Sequence, residues 1–385
     1  LLGGALLRGG YREGSGRKKR TENKLAKNIY LSESLINEIN QIDIEGCKSF
    51  NKKCLHLIHM GIDANKRNVK NMKEKLKFID LFAGIGGIRK GFEDKNTVAV
   101  FSSEWDKFSK QTYEANYGDV PEGDITKINE KDIPEHDVLL AGFPCQPFSM
   151  IGKREGFEHA TQGTLFFDVL RIIKYHKPKM FLLENVKGLL TIQNGETFKL
   201  IKESLEDVGY KVFYDVLDAQ NYGLPQIRKR VVIVGFRNDL GIDKFDFPQG
   251  DNSKRSAIGD LLEKNPKGYT ISKHLQQSYL FKKSDGKPQI VDCSSDIQVK
   301  TLVASYHKIQ RLTGTFVKGG ETGIRLLSEL ECKRIMGFPD EFIIPVSRTQ
   351  MYRQFGNSVA VPMIKAVADK MKESLNSVSE KKSRN

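Results

Sequence analysis

Six short apolar runs punctuate the middle of the chain, near Phe78, Thr97, Val138, Phe181, Val212 and Val231, with helically spaced stretches between them. Apolar runs of this length bounded by turn-formers read as buried strands. Strand alternating with helix predicts an α/β fold built on a doubly wound sheet. The first run, 78–82, is followed by Gly84-Ile85-Gly86-Gly87 and then a helical pattern from Ile88 through Phe92. Such a strand, glycine turn and helix let the backbone approach a nucleotide-type ligand. The spacing G-x-G-G departs from the dinucleotide fingerprint, so a turn that serves only the fold is the competing reading.

Outside this stretch the pattern changes. Lys27–Leu31 alternates like a short strand. Ser32 then reads as an N-cap, with Leu35, Ile36, Ile39 and Ile42 at helical spacing, and a second helix is predicted from Ser49 through Met60. Residues 249–322 are rich in Lys, Ser, Gly and Gln with weak periodicity; 301–306 and 312–317 read as short strands.

Several strand ends carry candidate chemistry. The run Val138-Leu139-Leu140 breaks into Ala141-Gly142-Phe143-Pro144-Cys145-Gln146-Pro147-Phe148-Ser149, which holds a cysteine between two prolines. Prolines stiffen the loop, and strand-end loops of open α/β sheets are where ligands bind, so Cys145 is a candidate nucleophile. The strand at 97–101 ends in Glu104-Trp105; a carboxylate there can accept from ribose hydroxyls and the lone tryptophan can stack on a base. Asp124 either accepts from an adenine amino group or caps a helix. Glu184-Asn185 follows the apolar run 180–183, where a plain surface ion pair is the bland alternative. Arg228 and Arg230 alternate around Lys229, which puts both guanidinium groups on one face of a strand.

Together, 82–87, Gly142-Phe143-Pro144-Cys145-Gln146, Glu184-Asn185-Val186, Gln226–Arg230 and Gln354–Val359 resemble the cytosine-C5 DNA methyltransferase family, in order, from about Leu76 to about Leu375. The resemblance implies a fold with an S-adenosylmethionine-binding sheet and a smaller target-recognition domain. It implies methyl transfer to carbon 5 of a cytosine flipped from a short duplex sequence, with S-adenosylhomocysteine as product and no metal. Cys145, Glu184, Arg228 and Arg230 are then catalytic. Phe82, Gly84, Gly86, Glu104, Trp105, Asp124, Ile125, Pro144, Asn357, Ser358 and Val359 contact the cofactor. Ser149 and Gln226 contact DNA, and base-reading candidates are Ser305, Tyr306, His307, Lys308, Gln310, Arg311 and Thr313. The loop 149–162 reads as a closing segment. A transfer-RNA methyltransferase of the same family is the alternative.

Composition bears on partners. The 385 residues carry a formal net charge of +14, which suits a polyanion. Residues 1–77 hold 17 Lys and Arg against 8 Asp and Glu, so much of the excess lies before the catalytic match. Basic tail, short strand and two helices loosely resemble a ribbon-helix-helix module, with Asn28 and Tyr30 facing a major groove and the chain dimerising through this extension; a helical hairpin braced on the catalytic domain is the competing reading. The five cysteines form no CxxC pair, which argues against structural zinc or a secreted disulfide scaffold and for a reducing cytoplasm; the family resemblance implies a bacterial one, with the protein near the nucleoid. No apolar run reaches membrane-spanning length. A cognate restriction endonuclease acting on the same DNA site is the expected counterpart.

The expected organisation is a disordered basic, Gly-rich tail over 1–20, a DNA-binding extension over 21–75, and a catalytic domain over 76–248. Target recognition then occupies 249–322, a return to the catalytic domain 323–375, and a disordered tail 376–385.

Overall fold

The structure, a computed structural model, describes residues 31–44, 49–61, 75–144, 165–251, 253 and 255–383. Residues 1–71 and 72–385 form two compact units. In the first, Ser32 caps α1 (Glu33–Gln41) by accepting from Leu35 N, as the sequence predicts. A second helix, α2, spans 50–61, and Lys53 Nζ donates to the Asn40 carbonyl at 2.8 Å. The strand expected over 27–31, with Asn28 and Tyr30, lies outside the described residues apart from Leu31.

The second unit is built on a six-stranded sheet. Its strands are β1 (Leu76–Leu81), β2 (Thr97–Ser103), β3 (Val138–Ala141), β4 (Met180–Val186), β5 (Tyr210–Asp218) and β6 (Lys229–Arg237), in the order β2-β1-β3-β4-β6-β5. All six fall where the apolar runs place them. Helices α3 (Gly87–Phe92), α4 (Lys107–Tyr117), α5 (Leu165–His176) and α6 (Glu196–Asp207) fill the crossovers. Central strands covered on both faces need apolar residues at successive positions. Leu140, Leu182, Val232 and Val234 pack into one layer with α3 and α10 (Val361–Ser383). Leu139, Phe181, Leu183, Val231 and Ile233 pack into the other with α5 and α6. The helix after residue 360 thus returns to the sheet.

One strand departs from a parallel winding: β6 runs antiparallel to both β4 and β5. The connection 219–228 holds one short 3-10 turn and is too brief for the crossover that a parallel strand requires.

A third core gathers residues 258–361. It contains a small sheet of β7 (Gln289–Val291), β8 (Thr315–Lys318) and β9 (Ile324–Arg325), packed with α8 (Glu329–Met336) and α9 (Arg348–Asn357). A short helix, α7 (Lys273–Leu275), precedes it. The expected strand over 301–306 is absent: the segment passes through a turn into the 3-10 helix Tyr306–Lys308. Its backbone is satisfied by side chains instead of a ladder, since Leu302 N donates to Gln226 Oε1 and Leu302 O accepts from Arg228. Of the expected strand 312–317, only the part from Thr315 onward forms.

Candidate active site

The carboxyl ends of β1 to β4 open into one cavity of about 1270 Å³. The turn after β1 supplies its floor. Gly84 holds φ +56°, and a side chain there would meet nothing within 4 Å, so this glycine leaves open space above the turn. Its amide donates to Glu104 Oε2 at 2.7 Å, and Asp106 N donates to Glu104 Oε1 at 2.8 Å. Burial pushes the Glu104 acid upward while the two amides pull it back. Each carboxylate oxygen retains a lone pair for a hydroxyl donor. The neighbouring Trp105 is 81 % exposed and forms part of the cavity wall, so it is not a core aromatic. Phe82, at φ +54°, lines the same wall.

Asp124 accepts from Thr126 N and so caps the short turn Ile125–Lys127. Hydrogen bonding to Thr126 holds its acid low. Asp124 and Ile125 still line the cavity. What fixes this turn is Arg171, which the sequence reading missed. Its Nη2 donates to the carbonyls of Ile125 and Ile128 at 2.7 and 3.0 Å, while Nε and Nη1 reach Asp168 and Glu130. The only signal was an Arg three residues after an Asp on a predicted helix.

The opposite wall comes from the far end of the chain. Asn357, Ser358 and Val359 line the cavity where α9 ends. α9 is joined to α4 by Thr112 Oγ1 and Gln354 Oε1 at 3.0 Å. A Cβ on Gly87 would come within 2.4 Å of Ser358 Oγ and 3.0 Å of a Val359 methyl. Gly86 does a different job from the one expected. It caps α3 at φ +79° under the Tyr117 ring, which lies 2.3 Å from where a Cβ would stand, so it serves packing and is not on the cavity lining.

Glu184 and Arg230 face each other across β4 and β6, with Arg230 Nε 2.9 Å from Glu184 Oε1. Burial raises the Glu184 acid above its ordinary range, against the opposing charges of Arg230 and Arg228. A Cβ on Gly142 would stand 3.7 Å from Glu184 Oε2, so the segment that leads from β3 to Pro144 passes close beside the carboxyl. Asn185 Nδ2 donates to the Phe143 carbonyl at 2.9 Å and ties the two strand ends together. Pro144 is the last described residue before Cys145; Cys145, Ser149 and the loop 149–162 lie outside the described residues.

Four expected site residues have other employment. Arg228 is fully buried, and its guanidinium donates to the carbonyls of Leu302, Gly356 and Ser358, so it is a strut between segments, at the edge of the same cavity. Burial and the charge of Arg230 lower its pKa to about 9, which leaves it charged at neutral pH. Gln226 is wholly buried, donating to Ile335 O and accepting from Leu302 N, so it offers nothing to DNA. Tyr306 is buried with its hydroxyl donating to Thr315 O at 2.6 Å and accepting from Leu327 N. Arg311 is buried against the carbonyls of Leu280, Lys283 and Lys287 and paired with Asp285. Of the remaining base-reading candidates, Lys308 and Thr313 are exposed and Ser305, His307 and Gln310 half-buried. Among the described residues no group of three or more His, Cys, Asp and Glu is placed to hold a metal ion, and no helix is long and apolar enough to cross a membrane.

Residues 76–373 match the family described as C-5 cytosine-specific DNA methylase. The chain belongs to this family. It is therefore a DNA (cytosine-5-)-methyltransferase, and membership implies S-adenosylmethionine as methyl donor. It is 61 % identical over 400 residues to the Type II methyltransferase M.BsuFI of Bacillus subtilis, an alignment that covers 96 % of this chain and 98 % of that one. It is 51 % identical over 372 residues to the Type II methyltransferase M.MspI of Moraxella sp, covering 94 % and 88 %. The structure resembles that of the S. pombe Dnmt2 methyltransferase with a TM-score of 0.62 at 19 % identity, covering 78 % of this chain and 99 % of that one, a likeness of fold.

Proposed function

We propose that this methylase acts on a cytosine turned out of a short specific duplex sequence, with Cys145 as nucleophile and Glu184 as acid, and that it protects host DNA from a cognate restriction endonuclease. The Type II designation of its relatives supports the last part. The observation that carries the chemistry is the Glu184–Arg230 pair, in the same cavity as Glu104 and beside the segment after β3 that precedes Cys145 in the sequence.

Carbon 5 of cytosine is a poor nucleophile. Addition of the Cys145 thiolate to carbon 6 makes the ring an enamine. The Glu184 carboxyl, when protonated, donates to N3 as negative charge develops there, and Arg230 stands where it can face the O2 oxygen. After methyl transfer, loss of the carbon 5 proton lets the thiolate leave. S-adenosylmethionine supplies the electrophilic sulfonium methyl when bound. The cavity fits it: Glu104 has free lone pairs for a ribose diol, Trp105 offers an exposed ring for the adenine, and Gly84 leaves room above the turn.

The deciding experiment uses a target duplex with 5-fluorocytosine, whose fluorine cannot leave as the proton does. The wild type should be trapped covalently, and Cys145→Ala should bind duplex yet neither methylate nor trap. Activity of Cys145→Ala within about tenfold of wild type would remove the cysteine from the mechanism. Labelled methyl appearing in transfer RNA and not in duplex DNA would favour the alternative substrate; the Type II relatives speak against it. The extension before residue 75 is proposed to bind DNA separately, as a dimer, at the promoter of its own gene. The protein would work in the bacterial cytoplasm.

A further inference from the structure

Beside the active site lies a second, open pocket of about 570 Å³ with no role in the chemistry above. It sits at the same end of the sheet, where β4 and β5 finish and β6 begins. Lys187 follows β4, Lys229 begins β6, and Arg255 comes from the segment leading out of the sheet toward the third core. The three are exposed, and among the described residues none makes an ion pair. Among the described residues Asp218 is the one acid on the wall. Its Oδ1 accepts from the Arg228 amide at 3.0 Å and its Oδ2 from Gln220 Nε2 at 2.8 Å, so its charge is turned on amides and away from the cations.

Three uncompensated cations around one concavity repel each other, and that arrangement favours an anion. Its position says which. The register pairs Val186 with Arg230, so Lys187 and Lys229 lie three residues, roughly 10 Å, along the strands from Glu184. Alternation turns Lys229 away from the base pocket that Arg230 faces. We propose that this pocket holds a backbone phosphate of the substrate DNA next to the extruded nucleotide, clamped by Lys187, Lys229 and Arg255. The proposal rests on duplex DNA being the substrate. A phosphate anchored there fixes the strand beside the nucleotide that must rotate, and it is blind to sequence because phosphate contacts position and base contacts specify.

The test is binding of a target duplex and an unrelated duplex by the full chain over a range of salt, read by anisotropy. Lys229→Gln and Arg255→Gln should each lower the slope of log affinity against log salt by about one, for both duplexes alike. Lys229→Arg should restore the wild-type slope. Cofactor affinity by calorimetry should be unchanged, which separates the effect from misfolding. Replacing single phosphates by neutral methylphosphonates should find one position, adjacent to the target cytosine, that weakens the wild type and leaves the Lys229→Gln/Arg255→Gln double variant indifferent. An unchanged slope in that double variant, or no phosphate whose loss it tolerates better than wild type, would overturn the proposal. A wild type that ignores duplex DNA altogether would instead bring down the substrate reading on which it rests.

Discussion

Arg230 Nε lies 2.9 Å from Glu184 Oε1, yet the carboxyl it pairs with is shifted upward, because burial outweighs the nearby charge. The pair therefore places a carboxyl whose protonation burial eases beside a cation, which suits a developing negative charge on a pyrimidine ring.

A pH dependence follows. Glu184 donates only while protonated, so turnover should fall as pH rises through its raised pKa. Arg230 favours the carboxylate form; Arg230→Met removes that influence, and the alkaline limb should move to higher pH although the maximal rate drops. Glu184→Gln should lose the limb and about 10²–10⁴-fold in rate. Single-turnover rates across pH check this; a limb that moves to lower pH in Arg230→Met would contradict the assignment.

The two arginines should separate in kind. Arg228→Met leaves three carbonyls without this donor, two of them in buried hydrogen bonds worth about 1–3 kcal/mol each. It should cost several kcal/mol of stability in denaturant melts. Arg230→Met should change the melt little and the rate greatly. Equal effects on stability would show that Arg228 is not the strut described.

Gly87→Ala drives a methyl into Ser358 Oγ and Val359. Overpacking of this sort costs about 1–3 kcal/mol and should displace the wall of the cofactor cavity, raising KM for S-adenosylmethionine more than it lowers kcat. Adding Ser358→Ala removes the nearer atom and should recover part of the loss. A double variant no better than Gly87→Ala would mean that the strain is relieved elsewhere.

Exchange of residues 249–322 for the matching segment of a relative with another target should move the methylated site with the graft, read by bisulfite sequencing. An active chimera that keeps its original target would place recognition outside this segment, with the N-terminal extension the next place to look.

Removing residues 1–70 should leave methylation of target duplex nearly intact and abolish binding to the region upstream of the gene. The isolated fragment, with its excess of Lys and Arg, should show steep salt dependence. A monomeric fragment that ignores DNA at low salt would leave only the helical hairpin reading.

The sheet was legible because central strands write themselves as apolar runs; all six fall where those runs lie. Glu104, Trp105 and Glu184 were legible because each ends such a run. The structural ties of Gln226, Arg228, Tyr306 and Arg311 were not legible, for a common reason. Each is polar in a polar stretch, and what satisfies it lies far along the chain, such as the Leu302 backbone for Gln226, 76 residues away. Local pattern contains nothing of such partners, so a buried strut and a DNA contact look alike. The reversed direction of β6 was hidden as well, although the short 219–228 connection already forbade a crossover.

Arg228 binds only main-chain oxygens, at residues 302, 356 and 358. Every amino acid has that oxygen, so the bonds themselves call for no particular side chain at 302 or 358, whereas 356 must stay glycine because a Cβ there would stand 2.1 Å from the Ala304 amide nitrogen. Residue 302 belongs to the segment assigned to reading DNA, and the other two to the wall assigned to the cofactor. Substitutions elsewhere in the first segment therefore leave this mooring to the second in place, because the bond asks only for the Leu302 carbonyl.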